Sequence, residues 1–232
     1  MGSKKFSSSW EINNSSLFVD RIQYSKIFAK YELFKQILNN AGSIIECGVK
    51  EGNGVMLFAK LSSILEPYNF KRKIIGFDTF QGFPKINKLD LSNKKKFKKL
   101  YKKGYNNSNS LEILEESIKK FDKLNPLGHI PKVELVKGDA TKTIPKFLKK
   151  NKHLLISLLY LDFDLFEPTF VALQNFLPRM SKGSILVFDE LNDPKWSGET
   201  IALLKSLNIK NVKLRRFPFE PHLTYIYINE KK

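Results

Sequence analysis

Five short apolar stretches, at residues 43–48, 73–78, 133–136, 154–162 and 184–189, punctuate this chain, and segments with helical spacing fall between most of them. Each stretch is apolar almost throughout rather than alternating, the pattern of a strand buried on both faces. Such strands pair in parallel, and a parallel neighbour has to be reached through a crossover, usually a helix. Helices are expected at 55–65, stopped by Pro67; from Thr141, with Pro145 near its start; at 168–180; and around 199–207. The pattern predicts an α/β fold, a mostly parallel sheet with helices on both faces. Two closing strands, near 212–217 and 223–228, have only a Pro-containing turn between them. They should form an antiparallel hairpin at one edge, making seven strands.

Ahead of the sheet, Phe18, Ile22, Ile27, Tyr31, Phe34 and Leu38 recur at helical spacing. Residues 17–41 are therefore predicted to be an N-terminal helical segment, ended by Asn39-Asn-Ala-Gly42, whose apolar positions could serve a homo-oligomer. Residues 1–16, rich in Ser, Asn and Lys, read as a mobile tail. The main domain is expected over 42–232, with a lid-like insertion at about 79–110 that is long, polar and includes the lysine run 94–103. That run is either a solvated surface or a contact for an anionic substrate, and the solvated reading is the commoner one.

The charge balance, 40 Lys and Arg against 23 Asp and Glu for a net +17, invites a nucleic-acid reading. Lysine greatly outnumbers arginine, however, and base-edge readout and bidentate phosphate clamping favour arginine. A generic basic surface is the better expectation, and nucleic acid is not expected as a partner. One cysteine, Cys47, excludes an intramolecular disulfide framework and suits a reducing compartment. No apolar run is long enough to span a bilayer and the first residues carry no apolar signal core, so a cytoplasmic location is expected.

Carboxylates end these strands with unusual consistency. The stretch LLYLDFDLFEPT finishes strand four by placing Asp162 and Asp164 two apart, on the same face. Glu46 lies in strand one, Asp78 ends strand two, Asp139 follows strand three, and Asp189 and Glu190 end strand five. One such acid is commonly a helix cap. A succession of them lies where open α/β sheets bind ligands, beyond the carboxyl ends of the strands. The turn after strand one, Glu46-x-Gly48-x-x-x-Gly52-x-Gly54, does not have the spacing of the dinucleotide fingerprint G-x-G-x-x-G, which argues against a Rossmann oxidoreductase. It resembles motif I of class I S-adenosylmethionine-dependent methyltransferases, and Asp78 matches the acid that takes the ribose hydroxyls in such enzymes.

Five segments together, IIECGVKEGNGVMLFAKL, IIGFDTFQGFP, GDATKTIP, YLDFDLFEPT and GSILVFDELND, resemble the macrocin O-methyltransferase family from about Gly42 to Leu207. The resemblance implies a Rossmann-like class I methyltransferase fold, S-adenosyl-L-methionine as methyl donor, and a divalent cation, usually Mg2+. The implied acceptor is a sugar hydroxyl on a nucleotide-linked deoxysugar, a glycan or a glycosylated metabolite. Carried over by position, the cofactor would meet Glu46, Gly48, Gly52, Asp78, Thr79, Asp139, Ala140 and Asp162. Asp162 would also be the catalytic base, and Asp164, Asp189 and Glu190 the metal ligands. Such a cation would relieve the repulsion between neighbouring carboxylates. Two departures stand out: Asp189-Glu190 replaces the usual Asp-Asp pair, and Phe166 stands where tyrosine is common. Hard oxygen donors suit magnesium, whereas the three histidines show no paired ligand spacing for zinc. The rivals are a nucleic-acid methyltransferase, whose Asn/Asp-Pro-Pro-aromatic element is missing, and a non-catalytic cofactor-fold binding protein.

Overall fold

In a computed structural model the described residues are 14–91, 102–108 and 110–229. The seven expected strands are β1 (Ser43–Cys47), β2 (Ile74–Asp78), β3 (Val133–Lys137), β4 (Ile156–Leu161), β5 (Met180–Phe188), β6 (Arg215–Phe217) and β7 (Glu220–Tyr227). They form one sheet in the order β3-β2-β1-β4-β5-β7-β6. Pairing is parallel from β3 through β5 and antiparallel for β5 with β7 and β7 with β6, as the pattern required. Among the described residues six α-helices accompany them: α1 (Arg21–Gln36), α2 (Asn53–Leu65), α3 (Leu111–Leu124), α4 (Ala140–Lys150), α5 (Phe166–Phe176) and α6 (Ser197–Ser206). None of the described helices is long and apolar enough to cross a membrane.

The pleat divides the core in two. Ile45 and Cys47 of β1 and Leu159 and Leu161 of β4 pack with α4, α5 and α6. Ile44, Leu158 and Tyr160, from the opposite face, pack with α1, α2 and α3. Strands buried on both sides are what the continuous apolar runs demand.

Three expectations need correction. The apolar stripe read on the N-terminal helix is largely exposed: Phe18 and Ile22 are 55% accessible, and Ile27 and Tyr31 are exposed too. The face that packs on the sheet is Ser25, Ala29, Lys30, Leu33 and Phe34. A tertiary bond fixes that choice, because the Ser25 hydroxyl donates to buried Glu220 on β7 at 2.6 Å. Helix α3 was not expected, although its apolar positions Leu114 and Ile118 are spaced as a helix requires. The helix predicted at 168–180 stops at Phe176; a 3-10 turn over Leu177–Arg179 follows, and Met180 already begins β5.

Between β2 and α3 the described residues hold no regular element beyond a 3-10 turn at Lys88–Leu91. That turn is anchored by buried Asp90, whose carboxylate accepts the N–H of Asn87 at 2.8 Å and that of Phe166, at the start of α5, at 2.6 Å. Most of the lysine run 94–103, and the tail apart from residues 14–16, lie outside the described residues.

At the opposite end of the sheet, Arg72 gathers the chain. Its guanidinium is 2% exposed. It pairs with Glu66 at 2.7 Å and donates to the carbonyls of Gly42, Ile37 and Asn40 and to the Ser157 hydroxyl. One side chain thus ties the end of α1, the starts of β1 and β4, and the α2–β2 link. Replacing it leaves buried acceptors unsatisfied, so Arg72→Met should lower unfolding stability by about 3–5 kcal/mol. A urea midpoint indistinguishable from wild type would show that the hub is dispensable.

Candidate active site

The carboxyl edge of the parallel strands opens into a cleft lined by Gly48, Asp78, Thr79, Ala140, Asp162 and Asp164 among the expected residues, with Lys50, Phe83 and Leu165 beside them. Glu46, Gly52 and Asp139 are close in sequence to that lining but not part of it, and Asp189 and Glu190, at the end of β5, do not line it either. Gly48 has φ 93, and a side chain there would run into the carbonyl of Asp162. The glycine turn and the acidic loop therefore touch through backbone, which only glycine permits.

Glu46 is buried beneath this turn. A side chain on Gly54 would collide with its carboxylate, so Gly54 leaves the space that Glu46 fills at the start of α2. There the carboxylate accepts the Val55 N–H, while its Oε2 has no hydrogen-bond partner. Burial pushes its pKa up to about 7; Lys30 opposes the shift, and Asp189 and Asp78 add to it. An orphaned buried oxygen of this kind calls for a ligand donor.

Asp78 accepts the N–H of Lys50 through Oδ2 at 2.8 Å and that of Phe80 through Oδ1 at 2.6 Å. Each oxygen keeps room for another donor. The Thr79 hydroxyl donates to the Gly82 carbonyl at 2.6 Å and shapes the next turn. Asp139 is engaged as the cap of α4, accepting the N–H and hydroxyl of Thr141 at 3.0 and 2.7 Å, and its neighbour Ala140 lines the cleft instead. Gly52 caps α2, and its missing side chain leaves room for Leu114 rather than opening into the cleft.

The remaining acids crowd together. Asp164 is buried in a left-handed conformation, φ 61, which few non-glycine residues adopt. Burial lifts it to about 7, with Asp189 adding and Lys195 and Lys50 opposing. Glu190 rises to about 8, from burial first and then from Asp189 and Asp164. Asp162 goes well above the carboxylate range, again through burial and then Asp189 and Asp164. Mutual repulsion places these groups within one another's field. Even so, among the described residues no three His, Cys, Asp or Glu side chains form a group that could hold a metal ion.

Three further residues belong to the site. Tyr160 on β4 donates its hydroxyl to Asp189 Oδ1 at 2.7 Å. Lys30 on α1, 9% exposed, sets its ammonium 3.9 Å from the Tyr160 ring centroid, and its charge opposes the upward shifts of Glu46 and Asp162. Glu199 on α6, fully buried, accepts backbone N–H groups from both acidic loops. Tyr160 was detectable as a hydroxyl two residues before Asp162 on the same strand face. Lys30 carried no signal of its own, because the wrong face of its helix looked apolar. Glu199 looks like an ordinary first-turn acid.

The sequence profile of the family described as macrocin-O-methyltransferase (TylF) matches residues 26–208. The fold superposes on CalS11, a calicheamicin methyltransferase, with a TM-score of 0.88 and 34% identity over 98% of this chain and 88% of that one. The apo form of CalS11, described as a TDP-rhamnose 3'-O-methyltransferase, gives 0.83 and 33% identity over 98% and 89%. The O-methyltransferase NovP shares the fold at 19% identity, TM-score 0.68, over 88% of this chain and 79% of that one. No curated protein matches the sequence.

Glu46 ionises near 4.5 when solvated and near 7 in the folded chain. Folding therefore takes up a proton between those values, and stability falls as pH rises through that window. Glu46→Gln should raise the stability of the cofactor-free protein at pH 8 by up to about 3 kcal/mol and leave it nearly unchanged at pH 4. Urea unfolding at the two pH values checks this, and equal midpoints at pH 8 would refute it.

Proposed function

The chain belongs to the macrocin O-methyltransferase family, and on that premise we propose that this O-methyltransferase uses S-adenosylmethionine and magnesium to methylate a sugar hydroxyl. The proposed acceptor class is a nucleotide-linked deoxysugar, which the description of the 33%-identical relative as a TDP-rhamnose methyltransferase supports. The observation that carries the reading is the backbone contact of Gly48 with Asp162, which brings a glycine turn suited to a nucleotide cofactor against a loop of buried acids. Such a site accommodates a donor and an acceptor side by side.

On this reading, Asp78 takes ribose hydroxyls with the capacity its two backbone bonds leave. Gly48 and Ala140 line the cofactor's place, and Thr79 holds the turn beside it. Glu46, with one oxygen unsatisfied, faces the positively charged methionine end; Gly52 and Asp139 support the cofactor through the helices they cap. S-adenosylmethionine supplies a methyl group already activated by its sulfonium.

Magnesium typically takes one or two carboxylates and keeps waters or substrate oxygens elsewhere. Buried, mutually repelling carboxylates fit that demand chemically, and no enclosing cage is needed. Asp164 and Asp189 would hold the ion, and Glu190, on the same loop as Asp189, is the remaining candidate donor. Bound magnesium supplies positive charge that favours ionisation of a nearby hydroxyl. Asp162 accepts the proton from the acceptor hydroxyl at its carboxylate. Phe83, Tyr105 and Trp196, packed edge to face and tilted around Leu165, form an apolar wall at the acceptor side that excludes water.

Asp162→Asn should reduce turnover by about 10²–10⁴-fold while cofactor affinity stays within a few-fold. Mass spectrometry of nucleotide-linked deoxysugars incubated with enzyme and donor measures this, and normal turnover in the variant would remove Asp162 from the role of base. EDTA should suppress activity and added magnesium should restore it; EDTA-insensitive turnover would overturn the metal assignment.

A further inference from the structure

Glu199 has a bonding pattern that the reaction outlined above does not use. It lies in the first turn of α6, with no exposed surface, and its two oxygens face different loops. Oε1 accepts the N–H of Phe163 at 3.1 Å and of Asp164 at 3.3 Å, in the loop after β4. Oε2 accepts the N–H of Glu190 at 3.2 Å, in the loop after β5. The first loop carries Asp162 and Asp164, and the second carries Asp189 and Glu190.

A charge at Glu199 is costly, first through burial and then because Asp164 and Asp189 both repel it. Three backbone donors offset part of that cost. Asp164 donates its N–H to Glu199 while in a left-handed conformation, so the bond also helps to secure a backbone that is strained for a non-glycine residue. The approach is close: a side chain on Gly198 would collide with the Phe166 N–H group and with Asp90. The start of α6 is thereby pressed against the start of α5, and Glu199 is delivered between the loops.

We propose that Glu199 is a positioning residue: it locks the two acid-bearing loops to each other and so sets the affinity of Asp164, Asp189 and Glu190 for a divalent cation. The affinity half rests on the magnesium assignment made above; the locking half does not. Glu199→Gln keeps size and shape but turns one acceptor into a donor that opposes a backbone N–H. Glu199→Asp keeps the carboxyl group but is too short to reach both loops.

The test is magnesium titration by calorimetry and amide hydrogen exchange, on wild type and both variants, with S-adenosylhomocysteine affinity as the control. Expected are a magnesium Kd raised at least tenfold in Glu199→Gln, S-adenosylhomocysteine affinity within threefold, and faster exchange in both loops; Glu199→Asp should free one loop. Unchanged magnesium affinity in a folded variant, or unchanged exchange in both loops, overturns the proposal. If wild type itself takes up no divalent cation, the magnesium assignment fails, and exchange alone decides whether Glu199 locks the loops. Should Glu199→Gln not fold, Glu199→Asp carries the same readouts.

Discussion

Carboxylates crowded at the carboxyl edge of the sheet repel one another, and much of the structure around them is arranged to tolerate that repulsion. At an effective dielectric near ~20, two like charges ~4 Å apart repel by about 4 kcal/mol, an appreciable fraction of a domain's stability. Among the described residues the chain answers chiefly with hydrogen-bond donors. Backbone N–H groups serve Asp78, Asp90, Glu46 and Glu199, and the Tyr160 hydroxyl serves Asp189. These bonds ease the burial of each acid but bring no counter-charge, so ionising the cluster remains costly in a way that a cation would relieve. Strain and repulsion stored at such an edge are typical of sites kept for chemistry rather than for stability.

The N-terminal helix acquires its meaning from the same constraint. Lys30 reaches from α1 to the face of Tyr160, and its charge opposes the upward shifts of Glu46 and Asp162. Buried cations are uncommon, and this one sits on an aromatic face that favours it. Helix α1 is thus more than a cover for the sheet. Its bonds to β7 through Ser25 and Gln36 fix the helix against the far strand, and with it the position of Lys30. Residues that the sequence presents as a cap on the domain contribute to the electrostatics at its centre.

The sheet was legible because its cause is local: a strand buried on both faces must be apolar throughout, and that leaves a mark in any reading. The strand-end acids were legible for a related reason, since an open parallel sheet has one edge at which polar groups are useful. What escaped was decided by contacts between distant segments. The buried face of α1 contains Ser25 and Lys30, which no hydrophobic period would select, and partners nearly two hundred residues away justify the choice of Ser25. β5 starts at Met180 because Met180 pairs with Ile156 across a register shift, although Ser181 and Lys182 are exposed and look like loop. Asp139, a strand-end acid expected at the cofactor, also caps α4, a second use that its place after β3 did not reveal. Glu199 had no local signature, since its importance consists of three bonds to two loops.

The overall charge and the local charge have opposite signs, and the opposition bears on how an acceptor can enter. A net +17 draws anions towards the protein, whereas the floor of the cleft is a pool of carboxylates that rejects them. A neutral sugar would feel neither force strongly. An acceptor with phosphates at one end and hydroxyls at the other would be oriented by both, its anionic end kept among cations such as Lys50 and Lys195 and its hydroxyl end left to approach the acids. Both lysines oppose the upward shift of Asp164, and Lys50 also lines the cleft. On the proposed reading, electrostatics would choose which end of a nucleotide-linked sugar reaches Asp162, before any contact with the sugar ring is made.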